Sequence, residues 1–203
     1  MKYRNGQFKF EKDDFESTSG CFHCRDSLPV IIFDKVKDDY VQIRGIGGKP
    51  NSCDYIIIAR SVKSGKTDIW LIEEKDIILK LAYKLKDLKE KGDCTDFEIF
   101  VNMTGEIFTR VVYDFIYSAT VLSDILNSCG IKISDLNDKK KYRFVCRILY
   151  RREQLGKIDP PELGQAIEII ISSLELPDQA IFITPEELCS ELKNYSDVKL
   201  VNC

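Results

Sequence analysis

Two apolar runs separated by a short polar segment dominate the hydrophobic pattern of the chain. The first run begins at Cys53 (CDYIIIAR), the second ends at Asp76 (TDIWLIEEKD), and Gly65 lies in the segment between them. β-Branched and aromatic residues on both sides of a glycine turn are typical of a β-hairpin. With the turn near Ser64 and Gly65, antiparallel pairing joins residues whose numbers sum to about 129.

This register predicts a polar cluster at the open end of an otherwise apolar hairpin. Asp54, at the start of the first strand, is expected opposite Lys75, at the end of the second. Because side chains alternate between the two faces of a strand, Glu73 and Lys75 point to one face and Glu74 points to the other. The hairpin is therefore expected to bring Asp54, Glu73 and Lys75 together.

The rest of the pattern predicts further strands and helices around this hairpin. Strands are expected at 28–33, 40–46, 96–102, 139–152 and 179–184, and helices at about 9–17, 76–91, 104–129, 160–174 and 185–195. This order indicates an α/β fold with a mixed central β-sheet flanked by helices. We expect one domain over residues 1–203, with a core of about 28–102 and an extension of 103–203 that holds helices and a basic strand.

The strand within 139–152 has cationic side chains on one face. Its sequence, KKKYRFVCRILYRR, alternates apolar and polar residues, and the side chains of Lys141, Arg143, Arg147 and Arg151 share a face. One interpretation is a solvated edge strand, since charged edges prevent aggregation. The other is contact with an anion, because the arginine fork fits phosphate.

Composition narrows the class of protein. The 203 residues carry a net charge of −3, and no apolar run approaches the roughly 20 residues that span a bilayer. The first residues are charged, unlike a signal peptide, so we expect a cytoplasmic protein. The eight cysteines are mostly isolated and are interpreted as small buried side chains in place of disulfides. Cys21 and Cys24 have the spacing of zinc ligands, but a turn is favoured because a second ligand pair is missing.

The predicted cluster has the chemistry of a divalent metal site. Two converging carboxylates repel each other, and a cation removes that cost. Oxygen ligands from Asp54 and Glu73, with the backbone carbonyl of Glu74, suit Mg²⁺ or Mn²⁺. Lys75, on the same face, could orient a water molecule or stabilise developing negative charge.

These residues resemble the PD-(D/E)XK nuclease superfamily. Asp54 on one strand, followed nineteen positions later by Glu73-Glu74-Lys75 on the next, is similar to its motif, and the core of about 28–102 is similar to its restriction-endonuclease-like order of elements. The resemblance includes small nucleases of archaea and archaeal viruses. It implies Mg²⁺-dependent hydrolysis of phosphodiesters, with Asp54 and Glu73 as metal ligands and Lys75 as a catalytic residue.

The sequence departs from that motif at two points. Cys53 stands where the family has proline, and Pro50 lies four residues before Asp54. The superfamily often adds an acidic residue from an early helix, and three acidic residues are candidates here: Glu11, Asp14 and Glu16. Lys49, in the glycine-rich segment before the cluster, is a candidate contact to nucleic acid.

We therefore expect a metal-dependent deoxyribonuclease that acts as an endonuclease or as a Holliday-junction resolvase. Its partner would be DNA, contacted by Lys49 and the basic strand, and an enzyme that cuts two strands is expected to be a homodimer. For a viral protein, the compartment would be the host cytoplasm. Two alternatives stay open, namely a catalytically silent nucleic-acid-binding module and a protein–protein adaptor.

Overall fold

The computed structural model describes residues 1–48, 50–74, 96–131, 141–151 and 181–198. The N-terminal part holds β1 (Lys2–Arg4), β2 (Gln7–Lys9), a 3₁₀ turn (Lys12–Asp14), β3 (Phe15–Ser17), α1 (Thr18–Phe22), β4 (Pro29–Ile32) and α2 (Phe33–Arg44). The remainder holds β5 (Tyr55–Ser61), β6 (Thr67–Glu74), α3 (Asp96–Ser128), β7 (Tyr142–Leu149), β8 (Ile181–Ile183), α4 (Pro185–Leu192) and β9 (Tyr195–Asp197). Among the described helices, none is long and apolar enough to cross a membrane.

A mixed seven-stranded sheet forms the centre of the molecule. Its strands lie in the order β3-β4-β5-β6-β7-β8, and β9 pairs with β5. The pairs from β3 to β6 are antiparallel, whereas β7 is parallel to β6 and β8 is parallel to β7. The α/β fold with a mixed central sheet and flanking helices is therefore confirmed.

The predicted hairpin is present, with its register displaced by two residues. β5 and β6 pair from Tyr55 opposite Ile72 to Arg60 opposite Thr67, so that partner numbers sum to 127. Gly65 adopts a left-handed φ of 69° in the turn, a conformation that glycine reaches without strain. A displacement by two residues keeps every side chain of β6 on its predicted face, because the strand period is two.

Two apolar layers cover the sheet. On one face, Leu71 of β6 and Ile56 of β5 pack in a cluster with Val36 of α2 and Leu122 of α3. On the other face, Trp70 and Ile72 of β6 belong to a cluster that includes Leu188 of α4. β6 lies between both layers, which is why its side chains from Asp68 to Glu73 are all buried.

Three predictions of local structure are wrong. The segment 40–46 is predicted as a strand, but most of it belongs to α2, whose buried Phe33, Val36 and Tyr40 recur at helical spacing. The segment 96–102 forms the first turns of α3. The predicted helix at 9–17 contains the 3₁₀ turn and β3. Short apolar runs fit the helical period of 3.6 residues as well as the strand period of two, and tertiary packing decides which element forms.

The other predicted elements fall into two groups. The strands at β4, β7 and β8 and the helix at 104–129 within α3 are confirmed. So is α4, where Thr184 and Glu187 form the expected capping box. The predicted helices at 76–91 and 160–174 lie outside the described residues.

A disulfide bond joins the N-terminal part of the described chain to α4. Cys24, two residues after α1, is bonded to Cys189 of α4, and the two cysteines are 165 residues apart in sequence. Cys129 is disulfide-bonded as well. The interpretation of the cysteines as isolated buried side chains is therefore wrong for these positions, because the fold brings thiols together that are distant in sequence.

The disulfide should contribute substantially to stability, since cross-linking a long loop restricts the unfolded chain. Cys189→Ser is expected to lower the free energy of unfolding by about 2–5 kcal/mol. Urea denaturation measures this change. Cys21→Ser, at a half-buried thiol without a disulfide, is the control and should change the free energy by less than about 1 kcal/mol. Equal effects of the two substitutions would contradict the assignment.

Candidate functional site

Asp54 forms hydrogen bonds with the end of β6, to the residue before Glu73 and to the residue after it. The backbone N–H of Asp54 donates to the carbonyl oxygen of Ile72 at 3.0 Å. Its side-chain Oδ2 accepts from the backbone N–H of Glu74 at 2.6 Å. These two bonds bring Asp54 beside the segment Ile72–Glu74. The prediction places Asp54 opposite Lys75, two residues further along the chain than Glu73.

Glu73 lies on the same face of β6 as Leu71 and is only 1% exposed. A carboxylate in such a position needs a cation or hydrogen bonds around it, because burial disfavours its charge. The charges of Glu73 and Asp54 both act on the thiol of Cys53 and help to raise its pKa, although complete burial is the largest cause. Both carboxylates therefore lie within electrostatic range of the Cys53 thiol.

Helix α3 fixes the segment that leads into Asp54. The hydroxyl of Ser118 accepts from the backbone N–H of Cys53 at 2.8 Å and donates to the carbonyl oxygen of Asp114 at 2.7 Å. Ser118 and Asp114 are both buried. Sequence analysis missed this support, although two polar residues four positions apart in an apolar helix indicate a buried polar contact.

Glu74 points to the opposite face, as its position in β6 predicts. Its Oε1 accepts from Nε and Nη2 of Arg151 at 2.9 and 2.6 Å. The hydroxyl of Tyr55 lies 3.5 Å from its Oε2, and burial together with the charge of Glu74 raises the pKa of Tyr55 to about 12. Burial, followed by the charges of Glu16 and Glu74, raises the pKa of Cys21 to about 11. Both groups are therefore neutral at pH 7.

The predicted basic strand is β7, but its environment is not that of a solvated edge strand. Its odd-numbered side chains share a face, as expected, yet Val145 and Leu149 of that face are buried under α4. β7 lies between β6 and β8, so it is not an edge strand. Helix α4, which comes later in the chain, covers the face of β7 that the sequence pattern alone assigns to solvent.

The arginines of this face pair with carboxylates from other elements. Arg143 binds Asp68 through Nε at 3.1 Å and also through Nη2. Arg147, 8% exposed, binds Glu191 of α4 at 3.1 Å. The prediction of a fully solvated cationic face is therefore wrong, whereas a nucleic-acid contact of Lys141, Arg143, Arg147 and Arg151 stays a prediction.

The other predicted site residues lie in several places. Lys49 and Lys75 fall outside the described residues. Of the early acidic candidates, Glu11 pairs with Lys2, and buried Asp14 accepts from the backbone N–H of Glu11 at 2.7 Å. Glu16 lies in β3, close enough to Cys21 for its charge to affect that thiol.

The oxygen donors at the end of β6 fit a hard divalent cation. Within the described ranges, no three His, Cys, Asp or Glu side chains gather closely enough to hold a metal ion. The candidate donors are thus the two carboxylates of Asp54 and Glu73 with the backbone carbonyl of Glu74. Mg²⁺ often binds through only one or two carboxylates and retains several waters, so donors of this chemistry are compatible with it.

Removing the hydroxyl of Ser118 should leave the buried N–H of Cys53 without its acceptor. Ser118→Ala is expected to lower the free energy of unfolding by about 1–3 kcal/mol, measured by urea denaturation. Ser123→Ala is the matched control on α3, because that hydroxyl donates only to the carbonyl oxygen of Ala119 in its own helix. A loss at Ser118 no larger than at Ser123 would show that the contact does not hold this segment.

Comparisons of the chain with protein-family models, with curated proteins and with solved structures found no match. The function is therefore inferred from the residues of the chain and their contacts.

Proposed function

We propose that the protein is a metal-dependent DNA endonuclease or junction resolvase that hydrolyses phosphodiesters. The observation that carries this proposal is the position of Asp54, whose hydrogen bonds to Ile72 and Glu74 hold it beside buried Glu73. An aspartate fixed by backbone contacts beside a buried glutamate is suited to bind a cation. Phosphodiester hydrolysis is the reaction implied by their resemblance to PD-(D/E)XK nucleases.

Asp54, Glu73 and the carbonyl of Glu74 would hold Mg²⁺ or Mn²⁺. When bound, such an ion polarises a phosphoryl oxygen and lowers the pKa of a coordinated water. The chain itself contributes rigidity, since Ser118 holds Cys53 and the backbone of β6 holds Asp54. Lys75, the next residue after Glu74, is proposed to orient the attacking water or to stabilise the charge that develops on phosphate.

The order of elements supports the same proposal. Among the described elements, the aspartate segment and β5 are followed by β6, then by α3, and then by β7, which is parallel to β6. The resemblance implies two strands followed by a helix and another strand. The strand predicted at 96–102 is wrong, because that segment is helical, and the predicted helix at 76–91 lies outside the described residues. The described strand that follows α3 and pairs with β6 is Tyr142–Leu149.

DNA is the proposed substrate, and a homodimer is the proposed state for cutting two strands. Lys49, Lys141, Arg143 and Arg151 are the candidate contacts, with Arg147 contributing charge from a buried position. A cytoplasmic location is proposed as well, in a compartment that permits a structural disulfide such as Cys24–Cys189.

Glu73→Gln preserves shape but removes a negative charge, so metal affinity should fall and Mg²⁺-dependent cleavage should drop at least about 100-fold. Lys75→Ala should retain metal binding and lose turnover. Plasmid and junction cleavage with Mg²⁺ or EDTA, together with calorimetric titration of the metal, measures both effects. Glu186→Gln, at an exposed carboxylate of α4, is the control and should behave as wild type.

A catalytically silent nucleic-acid-binding module is the second candidate. The Oδ2 of Asp54 accepts from the backbone N–H of Glu74, a structural role that requires no metal, and this contact favours such a module. Such a module would bind DNA equally well in EDTA, with an affinity that falls as salt rises. Wild-type protein that cleaves no form of DNA, while it and the Glu73→Gln variant bind DNA alike, would replace the nuclease proposal with this one.

A further inference from the structure

A second polar site lies at the turn of the β5–β6 hairpin, away from Asp54 and Glu73. A cavity of about 860 Å³ opens there between the turn, β7 and the end of α4. Its wall includes Lys63 and Lys66 of the turn, Trp70 of β6, Arg143 and Arg147 of β7, and Tyr195 of β9. Seven residues of extended β5 separate this end from Asp54, which corresponds to roughly 24 Å.

The charge of the wall favours an anion. Two lysines and two arginines line the cavity with one carboxylate, Glu191. Asp68, buried beneath Arg143, adds a second carboxylate. The four cations against two carboxylates leave these described residues with a net charge of +2, in a concave site where field lines are concentrated.

The wall also contains a buried donor that needs an acceptor. Trp70 is 2% exposed, and its Nε1 has no hydrogen-bond partner in the part of the chain that the structure describes. Arg147 lies over the indole ring, with Cζ 5.1 Å from its centroid, and Tyr195 meets the ring edge-to-face. A buried N–H of this kind loses the free energy of hydration unless an acceptor reaches it.

Other donors face the cavity from different elements. Arg143 uses Nε and Nη2 for Asp68, and Nη2 also lies 3.3 Å from the hydroxyl of Tyr195. This leaves its Nη1 for a ligand. Lys63 is exposed in the turn and adds an ammonium group. Donors carried by the turn, by β6 and by β7 suit a group with several acceptor oxygens.

We propose that this cavity binds a phosphate group, with Trp70, Arg143 and Lys63 as its donors. The volume is within the range of small-molecule sites, so the phosphate can belong to a nucleotide as well as to the inorganic ion. The phosphate of a nucleic-acid backbone has the same chemistry. The site is separate from the proposed metal centre and does not depend on the nuclease function.

Trp70 provides a direct reporter, because it is the only tryptophan of the chain. Titration of wild-type protein with sodium phosphate should change its fluorescence saturably, with a Kd of about 1 mM or lower. Sodium chloride at the same ionic strength is the control. No saturable change, or the same change with chloride, would overturn the proposal.

Two variants test the donors by calorimetry. Lys63→Gln, in the exposed turn, should weaken phosphate binding roughly two- to five-fold without disturbing the fold. Trp70→Phe keeps an aromatic ring but removes the N–H, and should weaken binding about tenfold or more. Lys12→Gln, at an exposed lysine of the 3₁₀ turn, should bind as wild type. Unchanged binding by both Lys63→Gln and Trp70→Phe would refute the site.

The source of the phosphate is resolved by four ligands, namely inorganic phosphate, a deoxynucleoside 5′-monophosphate, the unphosphorylated deoxynucleoside and an oligonucleotide without terminal phosphate. Tighter binding of the monophosphate than of the oligonucleotide assigns a small phosphorylated ligand, and the reverse order assigns backbone phosphate. Binding of the unphosphorylated deoxynucleoside as tightly as the monophosphate would contradict the proposal. Glu73→Gln should retain phosphate binding even where cleavage is lost, so the two proposals fail independently.

Discussion

The fold depends on a strand that is buried on both faces and yet carries carboxylates near its ends. β6 packs between the two apolar layers, and buried Asp68 and Glu73 flank its four central apolar residues. Burial of an uncompensated charge costs several kcal/mol, so each carboxylate requires its own environment. Arg143 and Tyr195 bind Asp68 at one end of the strand. The contacts of Asp54 with the backbone on either side of Glu73 shape the other end.

This requirement gives the two ends of the hairpin different chemistry. At the turn, cations gathered around Asp68 exceed the carboxylates and line an open cavity. At the open end, Asp54 and Glu73 concentrate negative charge next to Cys53. In a chain with a net charge of −3, the described residues thus carry an excess of cations at one end of this hairpin and two carboxylates at the other. Net charge alone conceals this division, because local arrangement governs binding.

Strand periodicity predicted the parts of the site that depend on alternation alone. The faces of Glu73 and Glu74 follow from counting along β6, and a register error of two residues leaves them unchanged. The exposure of β7 could not be predicted in this way, because the helix that buries Arg147 comes about forty residues later in the chain. The same limit applies to the Cys24–Cys189 pair, which only the tertiary fold brings together. Short segments such as 40–46 fit both the helical and the strand period, and packing against the core favours the helix.

The position of that disulfide also determines what happens to a chain that has been cut. Every peptide bond between Cys24 and Cys189 lies inside the loop that the bond closes. A single break by a protease anywhere in this stretch therefore gives two pieces that stay covalently joined. Such a nicked molecule would keep the mass of the intact protein, apart from one added water, until a reductant separates the pieces. Cleavage within this stretch would thus separate the chain into smaller pieces only under reducing conditions.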